Sequence, residues 1–173
     1  VGGQGVLFVT RLLAEAAIQR GLAVFTSETH GMAQRGGTVL SHLKVGDYAS
    51  PLIRPAQADG LLVLKAENLA QHGAFLKKGG WVVANGANDI KTDHKMPLDA
   101  VDADTLAQEI GNPKAVNLIV LGFALAIAEK KGKNRNTLVC SPKEISTVVE
   151  SRFGKKKEML KASLKALEAG YTA

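Results

Sequence analysis

The sequence predicts an α/β fold of the Rossmann-like, doubly wound kind, with a mostly parallel sheet and helices on both faces. A glycine-rich stretch opens the first helical segment, and short apolar runs of strand length alternate with helical segments further along. Glycine-rich or charged turns separate these segments. A chain of 173 residues can bury a substantial core, and we expect a single domain over residues 1–173.

The first elements predict the second half of a βαβ unit. Residues 5–20 place apolar side chains on one broad helical face, and Gly21 is a suitable C-terminal stop. Residues 22–25 are typical of a short buried strand, and the polar residues 26–29 of the turn after it. Because a βαβ unit begins with a strand, we expect its first strand to lie upstream of residue 1.

The middle of the chain predicts three more strands. Residues 38–45 alternate in part, which is typical of a strand with one wetter face. Residues 58–64 predict a central parallel strand, followed by a helix over residues 67–75. A turn at Lys78-Gly79-Gly80 then leads into a buried strand over residues 81–85.

The remainder predicts mainly helices. Residues 86–98 are polar and irregular, and helices are expected over residues 102–110 and 116–131. Ser141-Pro142-Lys143-Glu144 combines a cap, a proline at the first helical position and a glutamate at the third, so it predicts a helix start. A last helix is expected from about Lys155 to Ala169, ended by Gly170.

Composition restricts the function classes. The net charge of +6 is typical of a solvated basic surface, or of a protein with an anionic partner. No basic stripe is joined to a recognition motif, so we expect no nucleic acid partner. One cysteine, Cys140, cannot by itself hold a zinc ion or an iron–sulfur cluster, and no apolar run reaches the ~20 residues of a membrane span. We expect a cytoplasmic protein with no membrane contact.

Two glycine-rich stretches are the candidate binding residues. Gly2, Gly3, Gln4 and Gly5 open a helix, where backbone amides and the helix dipole attract phosphate; the alternative is a tight turn that binds nothing. For a dinucleotide, the acidic residue that binds the ribose would be Glu28, which lies a few residues further along the chain than the usual ~20 positions after the glycines.

The second stretch runs from His30 to Gly37. Gly31, Gly36 and Gly37 leave room for close backbone approach, and the Arg35 guanidinium can fork onto a phosphate or carboxylate. His30 could donate, accept or titrate near neutral pH. The alternative is that both side chains face water or a neighbouring subunit. No catalytic or metal-ligating residue is identified, since His42, His72 and His94 lack metal-ligand spacing.

These motifs, with Ser41-His42-Leu43-Lys44, resemble the gamma-type domain of 2-oxoacid:ferredoxin oxidoreductases. The form Glu-x-His-Gly-Met-Ala-Gln-Arg-Gly-Gly over residues 28–37 is most similar to the small (beta) subunit of indolepyruvate:ferredoxin oxidoreductase. The resemblance implies a non-redox subunit of an enzyme that oxidatively decarboxylates an arylpyruvate to an acyl-CoA. The cofactor-facing residues would be Gly2, Gly3, Gln4, Gly5, Glu28, His30, Gly31, Arg35, Gly36 and Gly37.

The resemblance also implies partners. Thiamine diphosphate and iron–sulfur clusters are expected on a large partner subunit that passes electrons to ferredoxin, and coenzyme A is possible at a shared site. One cysteine is too few to hold an iron–sulfur cluster, which is consistent with clusters that lie on the partner subunit. The isolated chain is then expected to be inactive, with homo-oligomers possible.

Three alternatives stay open. The chain could serve the pyruvate branch or another 2-oxoacid branch of the same family. It could instead be a free-standing Rossmann-type nucleotide-binding protein or dehydrogenase. A basic nucleic-acid-binding module would show steeply salt-dependent affinity.

Overall fold

A computed structural model describes residues 5–30, 38–86, 90, 96–131 and 138–173. Five strands and six α-helices, with two short 3-10 turns, make up the described part of the chain. The strands are β1 Val24–His30, β2 Val39–Val45, β3 Ala58–Val63, β4 Leu76–Asn85 and β5 Leu98–Val101. The helices are α1 Val6–Gln19, α2 Asn68–His72, α3 Ala103–Glu109, α4 Val116–Lys131, α5 Pro142–Phe153 and α6 Lys157–Tyr171. The predicted α/β class is confirmed.

The described strands form two sheets. β3, β4 and β5 are parallel, in that order, and β1 pairs with β2 in an antiparallel hairpin. The parallel pairing predicted for residues 58–64 and 81–85 is therefore confirmed. The doubly wound arrangement and the upstream first strand stay predictions.

The polar turn predicted at residues 26–29 is wrong. β1 continues through these residues to His30, and each is paired with a residue of β2, from Thr26 with Leu43 to Thr29 with Leu40. Both Thr26 and Glu28 are exposed, so polar residues suit this strand. A run of polar residues on the exposed face of a paired strand has the composition of a turn, so the sequence alone predicted a turn here.

The turn predicted at residues 78–80 lies inside β4. Leu76 pairs with Ala58 and Trp81 with Gly60, so the intervening residues of β4 form an irregularity in the ladder. Gly79 adopts a φ of 79° there, which suits glycine. The sequence also failed to predict β5, which is four residues long and follows a polar stretch.

The core centres on α4, which is buried on nearly every side; Ile119, Val120 and Leu121 are fully buried. α4 begins and ends as the sequence predicts, and Lys131 in its last turn forms an ion pair with Asp99 of β5. No helix in the described ranges is long and apolar enough to cross a membrane.

The predicted end of the last helix at Gly170 is wrong. α6 continues through Gly170 to Tyr171. Gly170 is buried, and a Cβ there would overlap the backbone of Ile119 in α4. The glycine therefore allows two helices to approach closely and does not terminate α6.

Candidate functional site

Gly5 begins α1 and cannot be replaced without strain. Its φ of 72° and ψ of 25° lie in the left-handed region, which favours glycine. A Cβ at Gly5 would overlap the Asn117 side chain, lying 3.0 Å from its Cγ and closer still to its Nδ2. Asn117 Nδ2 also donates a hydrogen bond of 3.3 Å to the Gly5 carbonyl. The first glycine-rich stretch therefore ends at a tight, specific junction with α4.

The first turn of α1 suits an anion. The amides of Phe8 and Val9 donate to the Gly5 carbonyl at 3.1 and 3.2 Å, so the amides before them have no carbonyl within the helix to bind. Among the described residues, neither an acidic side chain in this turn nor a capping side chain at Gly5 competes for these donors. With the positive end of the helix dipole, this donor set fits a phosphate or carboxylate.

Asn117 links the starts of α1 and α4. It is 7% exposed, and its Oδ1 accepts from the amide of Leu118 at 3.0 Å. The sequence analysis did not select this residue as part of the site. A signal was present, because Asn117 is the one polar side chain between Val116 and Ala128 of an otherwise apolar helix. Buried polar groups of this kind have hydrogen-bond partners, and here the partner is 112 positions away.

The β1–β2 hairpin carries the second glycine-rich stretch. Glu28 lies within β1, opposite Ser41, and is exposed. His30 is the last residue of β1 and pairs with Val39, the first of β2. The chain between them therefore starts and ends on adjacent strands.

The hairpin end and the start of α1 lie at the same end of the domain. α1 spans about 21 Å and β1 about 23 Å, and the chain reverses between them at residues 20–23. α1 packs against both strands of the hairpin. The chain thus runs away from Gly5 along α1 and returns along β1 to His30, which brings the described ends of both glycine-rich stretches to one edge.

The structure describes three of the predicted site residues. Gly5 and Glu28 are described in full, and His30 as part of β1. The other predicted site residues lie outside the described residues: Gly2, Gly3, Gln4, Gly31, Arg35, Gly36 and Gly37.

A second buried asparagine closes the carboxyl end of the parallel sheet. Asn85, 5% exposed at the end of β4, donates to the Leu64 carbonyl at 3.3 Å and to Asp104 Oδ2 at 2.8 Å. Its Oδ1 accepts from the Ala103 amide at 3.0 Å. All its hydrogen-bonding groups are engaged by neighbouring elements, so it stabilises the start of α3 and is not available to a ligand.

Two histidines that are 30 positions apart pack around Phe75. Their ring centroids lie 5.6 Å (His42) and 6.4 Å (His72) from that of Phe75. The Ile53 amide donates to His42 Nδ1 at 3.0 Å, so the neutral His42 ring carries its proton on Nε2. Burial, and then the charges of Lys44 and His72, lower the pKa of His42. Within the described ranges, no three His, Cys, Asp or Glu side chains are grouped to hold a metal ion.

Cys140 is buried. Its Sγ lies 3.5 Å from the carbonyl oxygen of Leu13 and donates to it. Burial, and then the negative charge of Glu144, raise the pKa of the Cys140 thiol to about 11. A thiol that keeps its proton at neutral pH is a poor nucleophile and a poor metal ligand.

Comparison with known proteins identifies a family and a shared fold. The family described as pyruvate ferredoxin/flavodoxin oxidoreductase matches residues 1–173. The indolepyruvate oxidoreductase subunit IorB of Archaeoglobus fulgidus is 33% identical over 99% of this chain and 90% of its own length.

Two solved structures have similar folds. The gamma subunit of a keto/oxoacid ferredoxin oxidoreductase from Geobacter sulfurreducens PCA superposes with a TM-score of 0.77 at 24% identity, covering 99% of this chain and 92% of that one. The pyruvate oxidoreductase subunit PORC from Thermotoga maritima superposes with a TM-score of 0.76 at 25% identity, covering 98% and 90%.

Proposed function

The chain belongs to the pyruvate ferredoxin/flavodoxin oxidoreductase family, and from this premise we propose that it is the small, non-redox subunit of an indolepyruvate-type 2-oxoacid oxidoreductase. The complete enzyme would oxidatively decarboxylate an arylpyruvate to an acyl-CoA and pass the electrons to ferredoxin. The observation that carries the proposal is the nearly full-length similarity to an IorB subunit.

The thiamine diphosphate and the iron–sulfur clusters would belong to a large partner subunit. Clusters are held by several thiolates, whereas this chain has one cysteine, and its thiol is buried with a raised pKa. The chain would instead complete the partner's site with the edge at which the two glycine-rich stretches meet, residues 2–5 and 30–37, which we call the glycine-rich edge. Neither cofactor would be held by this chain alone.

An anionic group of coenzyme A is the ligand that this edge would bind. The open first-turn amides of α1 fit a phosphate, and the absence of an acidic residue in that turn leaves the fit undisturbed. Arg35 would add a forked contact to the same anion or to the partner subunit. Glu28 and His30, at the end of β1, would line the same edge from the hairpin.

Reconstitution with the large partner subunit tests the proposal. The two subunits are co-expressed and purified anaerobically, and ferredoxin reduction is measured with indolepyruvate, pyruvate and 2-oxoglutarate, each with coenzyme A. We expect activity only in the complex, with the highest kcat/KM for indolepyruvate. Failure of the chain to copurify with any thiamine- and cluster-containing protein would refute the subunit assignment.

Arg35→Ala tests the role of the glycine-rich edge. We expect the KM for coenzyme A to rise, or the affinity between subunits to fall, by about tenfold or more, because a charge-assisted contact is lost. Arg11→Ala removes an exposed arginine from the second turn of α1 and is the matched control. Equal kinetics for both variants would remove Arg35 from the proposed site.

The pyruvate branch of the family is the second candidate. The similarity to subunit PORC, at 25% identity over most of both chains, favours it. A higher kcat/KM for pyruvate than for indolepyruvate in the same assay would establish this branch. Calorimetry of the isolated chain with NAD, FAD and coenzyme A separates both candidates from a free-standing dinucleotide-binding protein, which would bind NAD or FAD tightly without a partner.

A further inference from the structure

The connection between β2 and β3, residues 46–57, is held against the domain near both of its ends; we call it the β2–β3 loop. Near its start, Lys44 Nζ of β2 donates a hydrogen bond of 2.9 Å to the Ser50 carbonyl. At its end, the Gln57 amide donates to the Phe75 carbonyl at 3.0 Å. The ends of the loop are therefore fixed by groups that carry no titratable acceptor.

The middle of the loop is held by a histidine. The Ile53 amide donates to His42 Nδ1 at 3.0 Å, so the acceptor is a nitrogen lone pair of the imidazole ring. The His42 side chain is buried, and its ring meets that of Phe75 edge-on. Only the neutral ring with its proton on Nε2 can accept this bond, since a proton on Nδ1 would set two N–H donors against each other. Protonation of His42 therefore breaks the bond to the loop.

The elements packed around His42 oppose a positive charge on its ring. Side chains alternate between the two faces of a strand, so Lys44 lies on the same face of β2 as His42. On β1, the residue paired with His42 is the uncharged Ser27, and Glu28 lies on the opposite face of the hairpin. Burial, and then the charges of Lys44 and His72, lower the pKa of His42.

The loop itself supplies no compensating charge. Its charged residues, Asp47 and Arg54, are both exposed. Within the ranges that the structure describes, no carboxylate forms an ion pair with His42, Lys44 or Arg54. A protonated His42 would thus have neither an acceptor for the new proton nor a carboxylate to offset its charge.

We propose that His42 is a pH-sensitive latch: the neutral ring holds the β2–β3 loop against the hairpin, and the ring protonated in mild acid releases it. The loop carries Tyr48 and Leu52, whose side chains are 44% and 53% exposed, so release changes the apolar surface on this side of the hairpin. The latch belongs to the fold, and it would operate whatever reaction the complete enzyme carries out.

The latch is closed at neutral pH and opens as the pH falls. The unfolded chain binds a proton at the ordinary pKa of histidine, ~6.5, whereas the pKa of His42 is lower in the folded protein. The bond persists below pH ~6.5 and is lost as the pH falls through the folded pKa. The stability that the bond contributes is therefore complete above pH ~6.5 and decreases below it.

NMR of the protein between about pH 7.5 and about pH 5 tests the latch. At neutral pH, the ¹⁵N shifts of the His42 ring should show the proton on Nε2. The protection factor of the Ile53 amide, which corrects for the intrinsic effect of pH on exchange, should fall at least about tenfold. The midpoint of this fall should coincide with that of the His42 ring titration. The ladder amides between β3 and β4 are the internal control and should stay protected.

His42→Asn removes the titration and keeps an acceptor. The asparagine Oδ1 occupies nearly the place of the imidazole Nδ1 and does not bind a proton in this pH range. We expect the protection factor of Ile53 to be independent of pH in this variant. His72→Asn is the matched control, because it removes the other histidine that packs on the ring of Phe75 and should leave the pH dependence in place.

Four results would overturn the proposal. The first two are a protection factor of Ile53 that does not change with pH and a His42 ring that carries its proton on Nδ1 at neutral pH. A fall in protection that persists in His42→Asn, or one that disappears in His72→Asn, would show that another group controls the loop. The coincidence of the two midpoints in the parent protein decides the question even if His42→Asn does not fold.

Discussion

Gly122 of α4 and Gly170 of α6 each lie against the backbone of the other helix. A Cβ at Gly122 would overlap the carbonyl oxygen of Leu167, and a Cβ at Gly170 would overlap that of Ile119. The two glycines thus set the distance between α4 and α6 reciprocally. This contact ties the C-terminal helix to the centre of the core.

Substitution of either glycine by alanine tests the contact, because the contact determines whether the free energy of unfolding rises or falls. Helix propensity alone favours alanine over glycine by about 1 kcal/mol. Overlap with a helix backbone should reverse the sign, and we expect Gly122→Ala or Gly170→Ala to lower the free energy of unfolding by about 2 kcal/mol. Urea denaturation measures it. The double variant should lower the free energy of unfolding by less than the two single variants together, because one separation of the helices relieves both overlaps. Stabilisation by either alanine would contradict the contact.

Gly5→Ala should destabilise the protein more than Gly21→Ala. Both glycines have similar positive φ values, 72° and 75°, so both substitutions introduce the same backbone strain of about 1–2 kcal/mol. Of these two, only Gly5 has a neighbour in the way, since no atom of the described part of the chain lies within 4 Å of a Cβ at Gly21. We expect an additional cost of about 1–3 kcal/mol at Gly5, measured by urea denaturation.

Asn117→Ala in the Gly5→Ala background separates the two contributions. Removing the amide group that overlaps the new Cβ should reduce the cost of Gly5→Ala to about that of Gly21→Ala. An undiminished cost in the Asn117→Ala background would show that the overlap is not the cause.

Ser141→Ala should destabilise α5 by about 1 kcal/mol. Ser141 Oγ accepts from the Glu144 amide at 3.3 Å, and the Glu144 carboxylate accepts from the Ser141 amide at 2.7 Å, which forms a capping box. Ser151→Ala is the matched control, because Ser151 is exposed and lies in the last turn of the same helix. Thermal denaturation of both variants measures the difference, and equal midpoints would show that the cap contributes nothing.

Cys140 should make stability depend on pH between about 9 and 11. Burial raises the pKa of this thiol to about 11 in the folded protein from 9.0. Above pH 9 the unfolded chain loses the proton while the folded chain keeps it, so stability falls as pH rises through this interval. The loss is on the order of 2 kcal/mol.

Cys140→Ala isolates this contribution from lysine and tyrosine titration. The difference between the denaturation midpoints of the parent and Cys140→Ala at pH 8 should shrink or reverse at pH 10.5. A difference that is constant with pH would show that the folded and unfolded thiols titrate alike.

Local signals in the sequence sufficed for several helices. The start at Ser141 depends on residues within one turn, and the bounds of α4 on a long apolar run in which Asn117 is the one polar residue before Glu129. Gly21 follows α1 with a φ of 75°, as a glycine stop should. In each case the residues that determine the structure are neighbours in the chain.

Long-range contacts explain what the sequence could not predict. Gly170 has the identity of a helix stop, but its contact with Ile119 gives it another role. The polar residues of β1 belong to a strand because β2 pairs with them. At the candidate site, the glycines could be recognised from the sequence, whereas the bond from Asn117 to Gly5 depends on the packing of α4 against α1.

The β1–β2 hairpin is paired without a break from Val24 with Val45 to His30 with Val39. The register of the hairpin is set by its paired strands and by α1, on which both strands pack. Residues 31–37 join the two strands beyond the last pair. We therefore expect that this segment, which carries the proposed site residues Gly31, Arg35, Gly36 and Gly37, can be grafted between relatives without changing the register of the two strands.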